Sequence, residues 1–314
     1  MDLVKTVEYR DRIVSAVSRA IVGKEDAIEK VLICYLCGGH VLLEDVPGTG
    51  KTMLLRAFAR AIGGSFSRVQ FTPDLQPSDL TGINFYSQKE GEFRFRPGPL
   101  FHDIILADEV NRATPRTQAA LLEAMEERQI TVDGVTHPLG GRFMVMATQN
   151  PLESYGTFPL PEAQVDRFFM RLALGYMQRD EELSVLRRED TLDIIAAIEP
   201  VVSDEDTALV RAQYRQVHVS DAVAGYLMDL VEGTRSGDFS CGVSTRGAIA
   251  LYRAVQAAAA LAGRDYALPE DIRRMAPCVL AHRLAAGAGL KRADAEARLM
   301  ALVDRVPVPV ETLP

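Results

Sequence analysis

The chain has no tryptophan, only four cysteines and only five histidines among its 314 residues. The cysteines make neither a disulfide framework nor a zinc site. Cys34 and Cys37 form a Cys-x-x-Cys, but within an apolar helical run, while Cys241 and Cys278 stand far apart without ligand spacing. This usage fits buried thiols in a reducing compartment better than a metal or redox pair. The histidines, at 40, 102, 137, 218 and 282, include no pair at metal-site spacing. No apolar stretch is long enough to span a bilayer, and Met1-Asp2-Leu3 opens no signal-peptide core, so a cytoplasmic protein is expected. Excess positive charge is absent too. The net charge of −8 gives no bulk footprint for direct nucleic-acid binding. What remains, 47% hydrophobic and 25% charged residues, is the composition of a soluble globular chain with room for about two domains.

Against this plain background one segment carries specific chemistry. Val46-Pro47-Gly48-Thr49-Gly50-Lys51-Thr52 lies between an apolar run at 41–43, read as a buried strand, and a helical pattern from Met53 to Ile62. Two glycines let the backbone curl so that successive N–H groups point inward. With the helix N-terminus behind them they suit a chain of phosphates. Lys51 would reach the outer phosphates and Thr52 would place its hydroxyl on Mg²⁺. Asp45 stands where such loops usually open with glycine, and is read as another residue tolerant of tight turns. Further on, Ile104-Ile105-Leu106-Ala107 predicts a buried strand ending in Asp108-Glu109, where a parallel sheet opens onto its ligand crevice. Asp108 would share the Mg²⁺ shell with Thr52, and Glu109 would orient and polarise an attacking water.

Up to about residue 195, short apolar runs (41–43, 67–71, 103–107, 143–147 and 169–173) alternate with helical patterns, which predicts βαβ units and a parallel sheet. From about 198 the pattern is helical only. Val223, Tyr226, Leu227 and Leu230 share a helical face, Ser244 reads as an N-cap for a helix ending before Gly263, and Pro269 starts another. The expectation is therefore an α/β nucleotide-binding domain at 1–197 and a small all-helical domain at 198–314. Two segments interrupt the α/β rhythm. Residues 82–100 and 129–139 both read as β-hairpins, the second with an Asp133-Gly134 turn, and both are expected to face a substrate.

Several weaker signals complete the series. Asn150 follows the strand at 143–147, where its amide would touch the γ-phosphate and the water. Asp166-Arg167-Phe168 follows a proline-rich loop, and Ser244-Thr245-Arg246-Gly247 puts an arginine at a helix start. In this order they resemble the AAA+ ATPases, and within them the MoxR family. The resemblance covers nearly the whole chain and is most specific at Val41 to Thr52, Pro97 to Phe101, Ala107 to Arg112 and Ala147 to Phe168. It implies a Walker A motif over Val46 to Met53, with Pro47, Gly48, Thr49, Gly50, Lys51 and Thr52 between. It also implies a Walker B motif at Asp108 and Glu109, a sensor 1 residue at Asn150, an arginine finger at Arg167 and a sensor 2 residue at Arg246. Val22 and Gly23 match the segment lying over the adenine. Residues 82–100 match the helix-2 insert of the clade, and 129–139 its hairpin before sensor 1. Thr245 departs from the proline common at that point of the sensor 2 motif.

The resemblance further implies ATP and Mg²⁺ as cofactors and a ring, usually a hexamer, in which each finger serves a neighbour's ATP. It implies chaperone-like remodelling of client complexes, often with a von Willebrand factor A domain protein. Two other readings stay open on the residues alone: a magnesium-chelatase-like or restriction-type motor subunit, and a nucleotide-binding scaffold with little turnover.

Overall fold

The computed structural model describes residues 3–45, 48–149, 156–188, 191–236, 239, 241–284 and 292–309. Its centre is a five-stranded parallel sheet of β1 (Val41–Glu44), β2 (Phe66–Gln70), β5 (Ile104–Asp108), β8 (Met144–Gln149) and β9 (Met170–Leu172), in the order β2-β5-β8-β1-β9. All five expected strands form. The three central ones are apolar because both faces are covered. Alternate residues split cleanly between two clusters. Leu43, Leu106 and Met146 join the helices on one face, and Leu42, Ala107 and Val145 join α5 (Pro115–Glu127) on the other.

The first cluster runs from the sheet through α1 (Leu3–Ser18), α2 (Glu25–Leu36) and α3 (Lys51–Ala61) into the later helices. Those helices are α9 (Asp204–Tyr214), α10 (Asp221–Gly233), α11 (Thr245–Leu261), α12 (Pro269–Leu280) and α13 (Arg292–Arg305), preceded by α4 (Pro77–Thr81), α6 (Glu162–Val165), α7 (Arg179–Leu186) and α8 (Thr191–Ala196). Two buried hydrogen bonds tie the first helix to α9: Thr6 Oγ1 donates to Gln213 Oε1 at 2.6 Å, and the Tyr9 and Thr207 hydroxyls meet at 2.9 Å. The N-terminal helix thus packs against a helix more than 190 positions later, which no local pattern predicts. Ser244 caps α11 as expected, accepting from the Gly247 N–H at 3.2 Å. One extended contact joins the later helices, a parallel bridge of His218 with Tyr266. Cys34, Cys37 and Cys278 are free and buried as expected, whereas Cys241 is free but exposed, against the buried-thiol reading. Among the described residues no helix is long and apolar enough to cross a membrane.

Both hairpins form, as β3 (Gly82–Ser87) with β4 (Glu92–Pro97) and β6 (Gln129–Val132) with β7 (Val135–Pro138). In the second, Asp133 and Gly134 have φ of 49° and 81°, the mirror-image turn that matches strand twist. At the base of the first, a Cβ on Gly98 would lie 2.2 Å from the Leu80 carbonyl oxygen, so only glycine lets the returning strand cross there. The hairpins lean on each other through Phe95, stacked on His137 at 4.3 Å, and through Asn84 Nδ2, which donates to Asp133 Oδ2 at 2.7 Å. Their outer aromatics stay in solvent, with Phe93 74% and Tyr86 55% exposed.

Candidate nucleotide site

The C-terminal ends of β1, β5 and β8 open on one crevice, a cavity of about 470 Å³ lined by Gly48, Gly50, Lys51, Thr52, Met53, Arg68, Gln70, Asp108, Glu109 and Thr148, among others. That volume is in the usual range for small-molecule sites. The helix begins at Lys51 rather than at Met53, because Gly50 takes φ of 85° and turns the chain straight into α3. Lys51 and Thr52 therefore lie in its first turn, where the helix dipole favours an anion. Gly48 also has a positive φ of 87°, and a Cβ on either glycine would meet nothing within 4 Å. The open side is the space a phosphate would need.

Asp45 is the first correction to the turn-former reading. Its side chain is buried, and Oδ2 accepts from the N–H groups of Leu174 at 2.7 Å and Gly175 at 3.0 Å, pinning the chain just past β9. Its own carbonyl accepts from Lys51 Nζ at 3.1 Å. A glycine there would allow the turn but could not make the clamp. Its partners lie about 130 positions away, so the sequence carries no sign of them.

The acidic pair sits at the end of β5. Asp108 Oδ1 accepts from the Thr148 hydroxyl at 2.6 Å and Oδ2 from Arg68 Nη2 at 2.6 Å. Glu109 has φ of 57°, a left-handed backbone that non-glycine residues adopt at a cost of about 1–3 kcal/mol. The Thr148 hydroxyl accepts from its N–H at 2.8 Å and helps hold that conformation. Gln70 Nε2 and Arg112 Nη1 then donate to Glu109 Oε2 at 2.7 and 3.0 Å. Arg68, Gln70 and Thr148 thus orient both carboxylates. None was singled out in the sequence, although the period of two in β2 puts Arg68 and Gln70 on one face. The donor set of Thr52 hydroxyl and Asp108 carboxylate is the hard oxygen chemistry that Mg²⁺ takes, so the residues fit that ion.

Other expected residues lie elsewhere. Val46, Pro47 and Asn150 are outside the described residues. Val22 and Gly23 do not line the cavity. They follow α1 next to α7, where the Glu181 carboxylate lies over Gly23 and Lys24 Nζ donates to the Tyr176 carbonyl at 2.9 Å.

Arg167 and Arg246 are brought together, but not at the cavity. Both pair with Glu126, Arg167 through Nε at 3.1 Å and Arg246 through Nη2 at 2.6 Å. Arg167 stands three residues before β9, whereas Lys51 follows β1, and the two strands are parallel neighbours. The His40 ring, just before β1, donates from Nε2 to the carbonyl of Met125, the residue before Glu126, at 3.0 Å. The arginine pair therefore lies at the N-terminal edge of the sheet and the cavity at the C-terminal edge, with a strand of about 13 Å between.

A P-loop crevice at the edge of a five-stranded parallel sheet, followed by helices, defines a class of nucleotide-binding ATPases. Comparison with known proteins narrows it. Residues 40–170 match the family model described as "ATPase family associated with various cellular activities (AAA)", and residues 235–302 match an AAA lid domain. The chain is 39% identical over 292 residues to Chaperone MoxR1 of Mycobacterium tuberculosis, covering 90% of this chain and 77% of that protein. It is 48% identical over 301 residues to the uncharacterized protein YeaC of Bacillus subtilis, covering 95% and 94%. A crystal structure from Cytophaga hutchinsonii, of a protein provisionally described as an ATPase, superposes with a TM-score of 0.88 at 38% identity, covering 98% and 97%. The chain belongs to the MoxR family of AAA+ ATPases.

Proposed function

We propose that this protein hydrolyses ATP in a Mg²⁺-dependent reaction at sites shared between copies of itself in a ring, and uses the cycle for chaperone-like remodelling of client protein complexes. The observation that carries this reading is the separation of Lys51, Asp108 and Glu109 from Arg167 and Arg246 by the length of the sheet. A subunit with phosphate cradle and water activator at one edge and a pair of guanidinium groups at the other is suited to donate its arginines to a neighbour's nucleotide. A closed ring satisfies every such head-to-tail contact.

In this reading the Gly48–Thr52 cradle and Lys51 hold the phosphates, with Met53 beside them. Thr52 and Asp108 would hold Mg²⁺, which when bound would supply charge neutralisation at the outer phosphates. Glu109 orients the water, and Arg167 with Arg246 meets the charge developing on the neighbour's γ-phosphate. Residues 198–314 serve as the lid. Asp45, which joins the cradle to Leu174 and Gly175, links the nucleotide to the chain leading there. The exposed Phe93 and Tyr86 of the first hairpin suit contact with a client polypeptide. The name of the Mycobacterium relative, a chaperone, supports the remodelling role. A von Willebrand factor A domain protein is the partner we would look for, and the cytoplasm is the compartment its free thiols suit.

The test is the steady-state ATPase rate per subunit across a wide range of protein concentration. Shared sites predict a specific activity that climbs as subunits assemble and vanishes in Arg167→Ala. A flat rate from a species that sizing shows to be monomeric would overturn the reading.

A further inference from the structure

Glu126 is outside the nucleotide cavity and no motif includes it, yet it contacts both arginines. We propose that Glu126 is a positioning residue that holds Arg167 and Arg246 as one two-guanidinium clamp, directed at a phosphate on a neighbouring copy. This rests on the shared-site reading above.

Glu126 is the penultimate residue of α5, a helix fixed to the sheet by buried Leu121, Leu122 and Met125. Its carboxylate is divided, with Oε2 at 3.1 Å from Arg167 Nε and Oε1 at 2.6 Å from Arg246 Nη2. Two guanidinium groups this close repel, and the shared carboxylate offsets that repulsion. Its shortest contact with each is through one nitrogen, Nε of Arg167 and Nη2 of Arg246, and among the described residues no other hydrogen bond to either guanidinium is seen. A guanidinium held from its inner edge presents the planar fork that matches phosphate oxygens.

The backbones beneath the arginines are placed by other bonds. Asp166 Oδ1 accepts from Arg283 Nε at 2.8 Å, and Asp166 Oδ2 accepts from the Ser244 hydroxyl at 3.1 Å. Arg283 is buried and also donates to the Phe168 carbonyl at 2.7 Å. Asp166 precedes Arg167 by one position and Ser244 precedes Arg246 by two, so the two backbones move as one unit. Glu126 is left to set the direction of the side chains. Its removal should disturb the clamp while leaving the fold intact.

The experiment compares wild type, Glu126→Gln, Glu126→Asp and Arg167→Ala at protein concentrations where sizing shows assembly, reading kcat, KM for ATP and direct ATP affinity. A positioning role predicts that Glu126→Gln lowers kcat roughly 10–100-fold, as misplaced catalytic groups do. KM and ATP affinity should stay within about twofold, since the residue is remote from the nucleotide pocket. Glu126→Asp, which keeps the charge with a shorter reach, should recover part of the rate. In an Arg246→Ala background the loss on Glu126→Gln should shrink, because half of the clamp is already gone. An unchanged or higher kcat in assembled Glu126→Gln would overturn the proposal, the higher rate meaning that the carboxylate restrains the arginines instead. If Glu126→Gln keeps its rate while Arg167→Ala is inactive, the clamp fails and the shared site stands. If Arg167→Ala keeps its full rate, both are overturned.

Discussion

The two edges of the central sheet are built differently. At the C-terminal edge, acidic and basic side chains cross-pair around an open cavity: Arg68 with Asp108, and Gln70 and Arg112 with Glu109. At the N-terminal edge two arginines share one carboxylate. The nucleotide edge is shaped by Gly48, Gly50 and Glu109, with positive φ. The arginine edge is held by buried Arg283 and His40 and by half-buried Asp166. One edge is shaped to receive a ligand. The other presents charge, as the shared site proposed above would require of its two halves.

The largest expected effects separate the edges directly. Arg167→Ala should lower kcat about 10³-fold or more, in the range of inserted arginines elsewhere, while ATP binding persists. Mixing it with Glu109→Gln subunits should restore activity, because some interfaces then pair an intact Glu109 with an intact Arg167. If mixing restores nothing, the division of labour between edges is broken. Glu109→Gln alone should lower turnover about 10²–10⁴-fold with ATP still bound, the range of a lost general base. Lys51→Ala should weaken ATP binding about 10–100-fold, the value of a charge-assisted hydrogen bond or two, and equilibrium binding would detect it.

Smaller effects sharpen the comparison through stability. Asp45→Gly keeps the turn but leaves the buried Leu174 N–H and the half-buried Gly175 N–H without their acceptor, and should lower unfolding free energy by about 1–3 kcal/mol in a denaturant titration. The arginine edge has its own signature in acid. His40 is held neutral, its Nδ1 accepting from the Val145 N–H and its Nε2 donating to the Met125 carbonyl. Burial, then the nearby Arg128 charge, push its pKa down to about 3. His282, beside Arg283, is pushed well below the usual range, first by burial and then by that arginine's charge. Below pH 6.5 the unfolded chain binds protons that these folded rings refuse, so stability falls as pH falls. From pH 7 to 5 His40 alone should remove about 2 kcal/mol, and His40→Gln should flatten that part of the pH–stability profile.

Much of the nucleotide edge was legible in the chain. Its chemistry is local: a glycine turn between a strand and a helix, and two acids at the end of a buried run, are visible within a dozen residues. The five strands and both hairpins were legible for the same reason, since short apolar runs and an Asp-Gly turn are near-neighbour patterns. The supporting partners were not. Asp45 binds N–H groups past β9, Gln70 meets Glu109 across two strands, and Glu126 carries no mark that distinguishes it from Glu127 beside it. Backbone donors leave no trace in side-chain identity.

Alone, the sequence determined the glycine turn between strand and helix at Gly48 to Thr52, the parallel sheet that positions it, and the helical run that follows, because propensity, apolar runs and turn chemistry act over short separations. Only the tertiary structure decided that Arg167 and Arg246 stand together on one carboxylate at the edge away from Lys51. Strand order and helix packing bring residues together at separations where the chain itself imposes no preference, and only the assembled core selects among the pairings.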